Sequence, residues 1–138
     1  MKNEYRTITR EWLAKAESDL AYAQASYREF DDFHSQMCIL CHDAAEKFLK
    51  ALLASSGTRP ERTHDLVTLH NECLSALEPH GALNELDVPC RLLNRYYVPL
   101  KYPSHYPAIT KVQASQAIEA AERIRAVVNA ILLPELDT

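Results

Sequence analysis

The chain has 138 residues, 47% hydrophobic and 25% charged, the balance of one soluble globular domain large enough to bury a core. Two glycines are too few for the turns of an all-β fold, and no apolar run approaches the roughly 18 residues of a membrane span. A net charge of -4 disfavours a generic nucleic-acid coat, and the polar start at Met1–Arg6 lacks an apolar signal core, so the expected place is the cytoplasm.

The first helix is predicted to begin near Thr9, with Trp12, Ala16, Leu20, Ala23 and Tyr27 at helical spacing. Asp31 and Asp32 supply an N-cap for a second helix whose apolar stripe runs from Met37 to Leu52, and Gly57 stops it. Within that helix, Glu46 and Lys50 are spaced for an i, i+4 ion pair on a solvated face. Cys38 and Cys41 form a C-x-x-C pair followed by His42. A redox pair would follow a strand, and a zinc site would want a second close pair, which Cys73 and Cys90 do not make. All four cysteines therefore read as reduced structural thiols, and no metal or cofactor is expected.

Thr63 is predicted to cap a third helix with Leu66, Leu69, Cys73, Leu74 and Leu77 facing inward, ended by Pro79 and Gly81. Asp87 before Val88-Pro89 predicts a fourth helix with proline in its first turn, carrying Leu92, Leu93, Tyr96 and Tyr97 to Pro99. Thr110-Lys-Val-Gln113 fits a capping box for a fifth helix that Pro134 terminates. Five helices with short connections predict an all-α, up-and-down antiparallel bundle in a single domain spanning 1–138. In that topology the second helix ends where the third begins. Arg59, Arg62 and His64 would then share one end of the bundle with the loop after the fourth helix and with Arg6 and Arg10.

That loop is chemically distinctive. Arg95–Pro107 holds four of the seven tyrosines and three of the seven prolines. Prolines this dense cannot continue a helix. Val88–Ile118 contains no Asp or Glu but does contain Arg91, Arg95, Lys101 and Lys111, a local +4 in an acidic chain. This points to a focused anion site. His105 is suited to proton transfer because an unperturbed imidazole titrates near neutrality. Lys101, Arg95 and Arg59 are candidates to hold a phosphate, and Tyr102 and Tyr106 to stack on a base. Arg62 and His64 complete the candidate ligand-binding set. The bland alternative is a tyrosine-proline plug sealing the bundle end, with His64 and Asp65 serving only the helix start. His34, His70 and His80 read as surface or packing residues.

Three islands resemble the HEPN domain, a small helical domain found beside minimal nucleotidyltransferases in prokaryotes. They are His42-Asp-Ala-Ala-Glu-Lys-Phe-Leu-Lys-Ala-Leu-Leu53, Thr63-His-Asp-Leu-Val-Thr-Leu69 and Tyr96-Tyr-Val-Pro-Leu-Lys-Tyr-Pro103. Their order and spacing also match, over nearly the whole chain. The resemblance implies a homodimer that pairs with a minimal nucleotidyltransferase, as in toxin-antitoxin modules, and that binds a nucleotide or RNA. It implies alternatively a metal-independent endoribonuclease, with an arginine and a histidine separated by four to six residues. Here Lys101 stands where the family carries arginine, and only three residues separate it from His105. Lysine keeps the charge but loses the planar fork that grips a phosphate. Arg59 and His64 have four residues between them, in a different loop. Tyr106 follows His105 directly, whereas the family's AMP-modified tyrosine lies two residues on. These departures favour the binding module over a nuclease using His105 and Lys101.

Overall fold

The computed structural model describes residues 1–77, 81–97 and 108–137, and within them the chain is helical with no strand. The helices are α1 (Asn3–Glu29), α2 (His34–Ser55), α3 (Leu66–Ala76), α4 (Gly81–Asn84), α5 (Asp87–Asn94) and α6 (Lys111–Leu136). The five expected helices are all present, and α4 adds one short turn between the third and the fourth.

The core is built around α2. It packs against α1, α3, α5 and α6, and is buried on more than one face, as a central helix must be. Its alanines and cysteines let neighbours approach closely, and Phe48, Leu49, Leu52 and Leu53 fill the space between them. α1 contributes Leu13, Ala16, Leu20 and Ala23 at three- and four-residue spacing, and α6 contributes Ala117, Ala121, Ile124, Val128 and Leu132. α1 runs antiparallel to both partners. Lys47 pairs with Asp19 and Lys50 sits over the Trp12 ring, while Arg125 grips Glu17 and Lys111 reaches Asp31.

Several helix ends differ from expectation. α1 begins at Asn3, so Thr9 lies inside it, fully buried, with its hydroxyl donating to the Tyr5 carbonyl at 2.7 Å. α2 is preceded not by an aspartate cap but by Phe33, in the left-handed region at φ 65. Asp32 instead accepts from the Phe33 amide at 2.7 Å, and Asp31 is drawn to Lys111. α3 is capped by Asp65, whose Oδ1 accepts from the Val67 and Thr68 amides, while the Thr63 hydroxyl accepts from the Asp65 amide at 3.1 Å. Asp87 is the first residue of α5 rather than its cap, and α5 ends at Asn94, before Tyr96 and Tyr97. Pro134 does not stop α6, which runs to Leu136. There Arg6 and Arg10 donate to the Glu135 and Leu136 carbonyls, both at 2.7 Å. The capping box at Thr110 and Gln113 is present in full.

The segment between α2 and α3 positions the site. Gly57, at φ 77, closes α2 with its amide bonded to the Ala54 carbonyl and the Thr58 amide bonded to the Leu53 carbonyl. This is the left-handed glycine cap. The chain then doubles back along α2, so His64 arrives beside His42 rather than at the end of α2, as the simple alternation predicted. α3 returns toward the end of α2, its Cys73 thiol donating to the Leu49 carbonyl at 3.4 Å.

Candidate functional site: a histidine-tyrosine-histidine stack on Glu46

The ring of Tyr97 stacks with two imidazoles. Its centroid lies 5.2 Å from that of His42 and 4.7 Å from that of His64, with the planes within 25° of parallel. Beneath His64 sits Glu46. Its Oε1 accepts from His64 Nδ1 at 2.8 Å and its Oε2 accepts from Lys50 Nζ at 2.9 Å. The expected Glu46–Lys50 pair is therefore present, but not on a solvated face. The Glu46 and Lys50 side chains are 10% and 12% exposed.

Each contact follows from local structure. His42 and Glu46 are one helical turn apart on α2 and so share a face. His64 is fixed because its neighbour Asp65 caps α3, and because Asn94 of α5 accepts from the Leu66 amide at 3.0 Å and donates to Asp65 at 3.1 Å. That same anchor holds the end of α5, from which Tyr97 follows three residues later. Burial pushes the Asp65 carboxyl up, but the donors Thr68, Asn94 and Val67 outweigh it and hold the carboxyl below its ordinary value.

Proton positions follow from the partners. A carboxylate oxygen only accepts, so His64 Nδ1 is the donor to Glu46. In the neutral ring this leaves the Nε2 lone pair free on a side chain that is 52% exposed. A carbonyl also only accepts, so His42 Nε2, 2.9 Å from the His64 carbonyl, carries a proton. His42 Nδ1 faces Asp43 Oδ1 at 3.2 Å. The arrangement can present one fixed, oriented imidazole to a ligand and stack an aromatic system against it. A carboxylate holding an imidazole in one tautomer is also the geometry of acid–base catalysis.

Of the described residues expected from sequence, His64 alone belongs to this stack. Arg59 is exposed and lines a groove with Thr58, Glu61, Thr68, Asn71 and Glu72. Arg62 is exposed on the same connection. Arg95 lines a different groove, with Val88 and Leu92 of α5 and Glu119 and Arg123 of α6. The structure thus does not bring Arg59 and Arg95 together. Lys101, Tyr102, His105 and Tyr106 lie outside the described residues, as do Pro99 and His80.

Sequence reasoning missed His42, Glu46 and Tyr97 as site residues. In sequence His42 adjoins the Cys38–Cys41 pair, but those thiols are fully buried in the core. Burial pushes the thiols of Cys38 and Cys90 up to about 12 and those of Cys41 and Cys73 higher still, which suits packing rather than reactivity. The signal that pointed to the site was the three islands themselves. His42 and Glu46 come from the first, His64 from the second and Tyr97 from the third, and the fold joins them.

The HEPN domain matches residues 9–131 of this chain. Among solved structures, the chain is similar to TT1696 from Thermus thermophilus, with 28% identity and a TM-score of 0.76 over 90% of this chain and 98% of that one. It is also similar to ST0689, described as an archaeal HEPN homologue, with 26% identity and a TM-score of 0.68 over 88% of this chain and 95% of that one. No curated protein matches it.

Proposed function

This chain belongs to the HEPN domain family, and we propose that it acts as a homodimeric binding module that engages a minimal nucleotidyltransferase and takes a nucleotide at the His42–Tyr97–His64 stack. The observation that carries this reading is the half-exposed His64 ring, held flat on Tyr97 by Glu46. Stacked rings with one face toward solvent are what a nucleobase seeks. Tyr97 leads directly into the tyrosine- and lysine-bearing tract that contains Lys101, Tyr102, His105 and Tyr106, which supplies the groups for a phosphate. Arg59, Arg62 and Arg95 add positive charge on the flanking segments. No described helix is long and apolar enough to cross a membrane, and four buried thiols fit a reducing cytoplasm.

The test is calorimetric titration with AMP and ATP, together with light scattering of the protein alone and mixed with a minimal nucleotidyltransferase from the same genome. A dimer that forms a complex with the enzyme and binds nucleotide is expected. Tyr97→Ala should weaken nucleotide binding about tenfold and Tyr97→Phe much less, since stacking contributes roughly 1–3 kcal/mol per base. A monomer that binds neither nucleotide nor enzyme would sink the reading.

The Glu46–His64 pair specifically favours a second reading, a metal-independent endoribonuclease. The oriented imidazole would move a proton, alongside His105, with Lys101 and Arg95 on the phosphate. Single-stranded RNA incubated in chelator with wild type, His64→Ala and His105→Ala separates the two. Cleavage lost in either variant supports the nuclease, and intact RNA throughout supports the binding module.

A further inference from the structure

We infer that the mouth of the α1–α2 hairpin binds a small quaternary ammonium compound, at a site separate from the His42–Tyr97–His64 stack and independent of the nucleotide reading. Among the described residues three aromatic side chains are exposed, Tyr22 at 68%, Phe30 at 50% and Phe33 at 49%. All three line one pocket of about 310 Å³, with Met37 as its buried floor. Scattered apolar residues on a surface need no explanation, but a gathered patch marks a binding site. The conformation of Phe33 is a second, separate observation. It is the one described residue other than glycine with positive φ, at 65. A bulky side chain adopts that conformation rarely and at a cost. A half-exposed ring does not recover that cost by core packing, and such strain is retained where a function needs the side chain.

The lining selects the ligand. Phe30 and Phe33 stand at 87° with centroids 5.4 Å apart. Walls at right angles let one cation meet two ring faces, which carry negative potential. The rim agrees in sign. Glu29, Asp31 and Asp32 lie on the hairpin turn, and Arg28 and Lys111 offset only two of them. No charged side chain lines the pocket, and its polar groups are Ser26 and Gln36. An ammonium bearing N–H groups would lose its water there for too few acceptors. A quaternary ammonium has no N–H to satisfy, and Ser26 and Gln36 are left for a hydroxyl or carboxylate on its tail. Size excludes a larger occupant. The three rings expose on the order of 300 Å², well under the roughly 800 Å² that each partner of a stable dimer buries. The pocket volume sits at the small end of ligand sites.

The full chain would be titrated with choline and with dimethylbutanol, its neutral carbon isostere, following the ligand methyl resonances and the heat of binding. One choline per chain at millimolar affinity or tighter is expected, with methyl signals moved upfield by the rings. The isostere should bind at least about fivefold more weakly, because it lacks the charge. Tyr22→Leu and Phe30→Leu keep apolar bulk at exposed positions and should each weaken choline about fivefold. Phe33→Gly removes a wall and relieves the turn, so it should lose choline without lowering the melting temperature. The inference fails if choline shows no saturable binding, or if dimethylbutanol binds as tightly, which would make the pocket merely apolar. It fails equally if both leucine variants bind choline like wild type, which would place the site elsewhere. Light scattering covers the other occupant: a dimer lost in Tyr22→Leu, with no choline bound by wild type, would assign the patch to a second copy of the chain.

Discussion

Glu46 and His64 meet at 2.8 Å across 18 residues of chain, the Oε1 of one accepting from the Nδ1 of the other. The same carboxylate takes the Lys50 ammonium, so one nearly buried anion organises two donors from different segments. Removing one member of such a pair leaves a poorly hydrated charge. Glu46→Ala should therefore lose about 3 kcal/mol in urea unfolding, because Lys50 is stranded. Glu46→Gln keeps the volume and an acceptor and should lose less. An alanine variant as stable as wild type would mean that Lys50 and His64 find water instead.

The cysteines should be silent in the folded protein. All four are buried and free, and burial pushes each thiol well above its ordinary value. Thiol reagents act on the thiolate. An Ellman assay at neutral pH should show almost no fast reaction in native protein and four thiols after denaturation. Rapid native labelling of Cys38 or Cys41 would return the C-x-x-C pair to consideration as a chemical motif.

Much of this fold was legible because period and punctuation agree. Ala16, Leu20 and Ala23, or Ala117, Ala121 and Ile124, mark a buried stripe, and Thr110 with Gln113 marks a helix start. Ends were less legible where neighbouring residues compete for one role. Thr63 and Asp65 both cap well, and only the bond from Asn94, 29 residues away, favours Asp65. Pro134 reads as a stop because it removes one N–H donor, yet α6 runs two residues further to Leu136, the Asp137 amide still bonds to the Leu133 carbonyl, and Arg6 and Arg10 take the free carbonyls of Glu135 and Leu136. The site was legible only in pieces. His64 was a candidate, but its partners depend on the doubling-back of the chain after Gly57. The His42 contact is to a backbone carbonyl, which no side-chain pattern encodes.

Asp65 ties α3 to α5, and this tie should be visible in acid. Its carboxyl is held below its ordinary 3.8 because, although burial opposes it, Thr68, Asn94 and Val67 donate to the charged form. A depressed carboxyl contributes stability that is fully present above the unfolded value and is lost as pH falls through the folded one. At neutral pH, Asp65→Ala should therefore be less stable by about 1–2 kcal/mol, the worth of a good N-cap. The gap should narrow once the pH drops below the ordinary carboxylate range. Unfolding curves for both proteins across an acid series measure it, and a gap that is constant with pH would mean the cap acts through its shape alone.

Gly57 carries two constraints at one position. Its φ of 77 lies where an L-residue costs roughly 1–2 kcal/mol. An added Cβ would also come 2.6 Å from the Tyr5 ring of α1. Gly57→Ala should therefore destabilise the protein by about 2–3 kcal/mol, the strain plus the cost of moving the ring. Gly57→Ala with Tyr5→Ala separates the two terms. The double variant relieves the contact but keeps the strain, so the added cost of the alanine should be smaller there than in wild type. Thermal unfolding of the four proteins in this cycle gives the answer. An equal cost in both backgrounds would show that Tyr5 moves aside freely and that the left-handed turn alone demands glycine. Because this turn sends the chain back along α2, a loosened Gly57 should also free His64 from Glu46. That is testable by following the His64 ring resonances in the single variant.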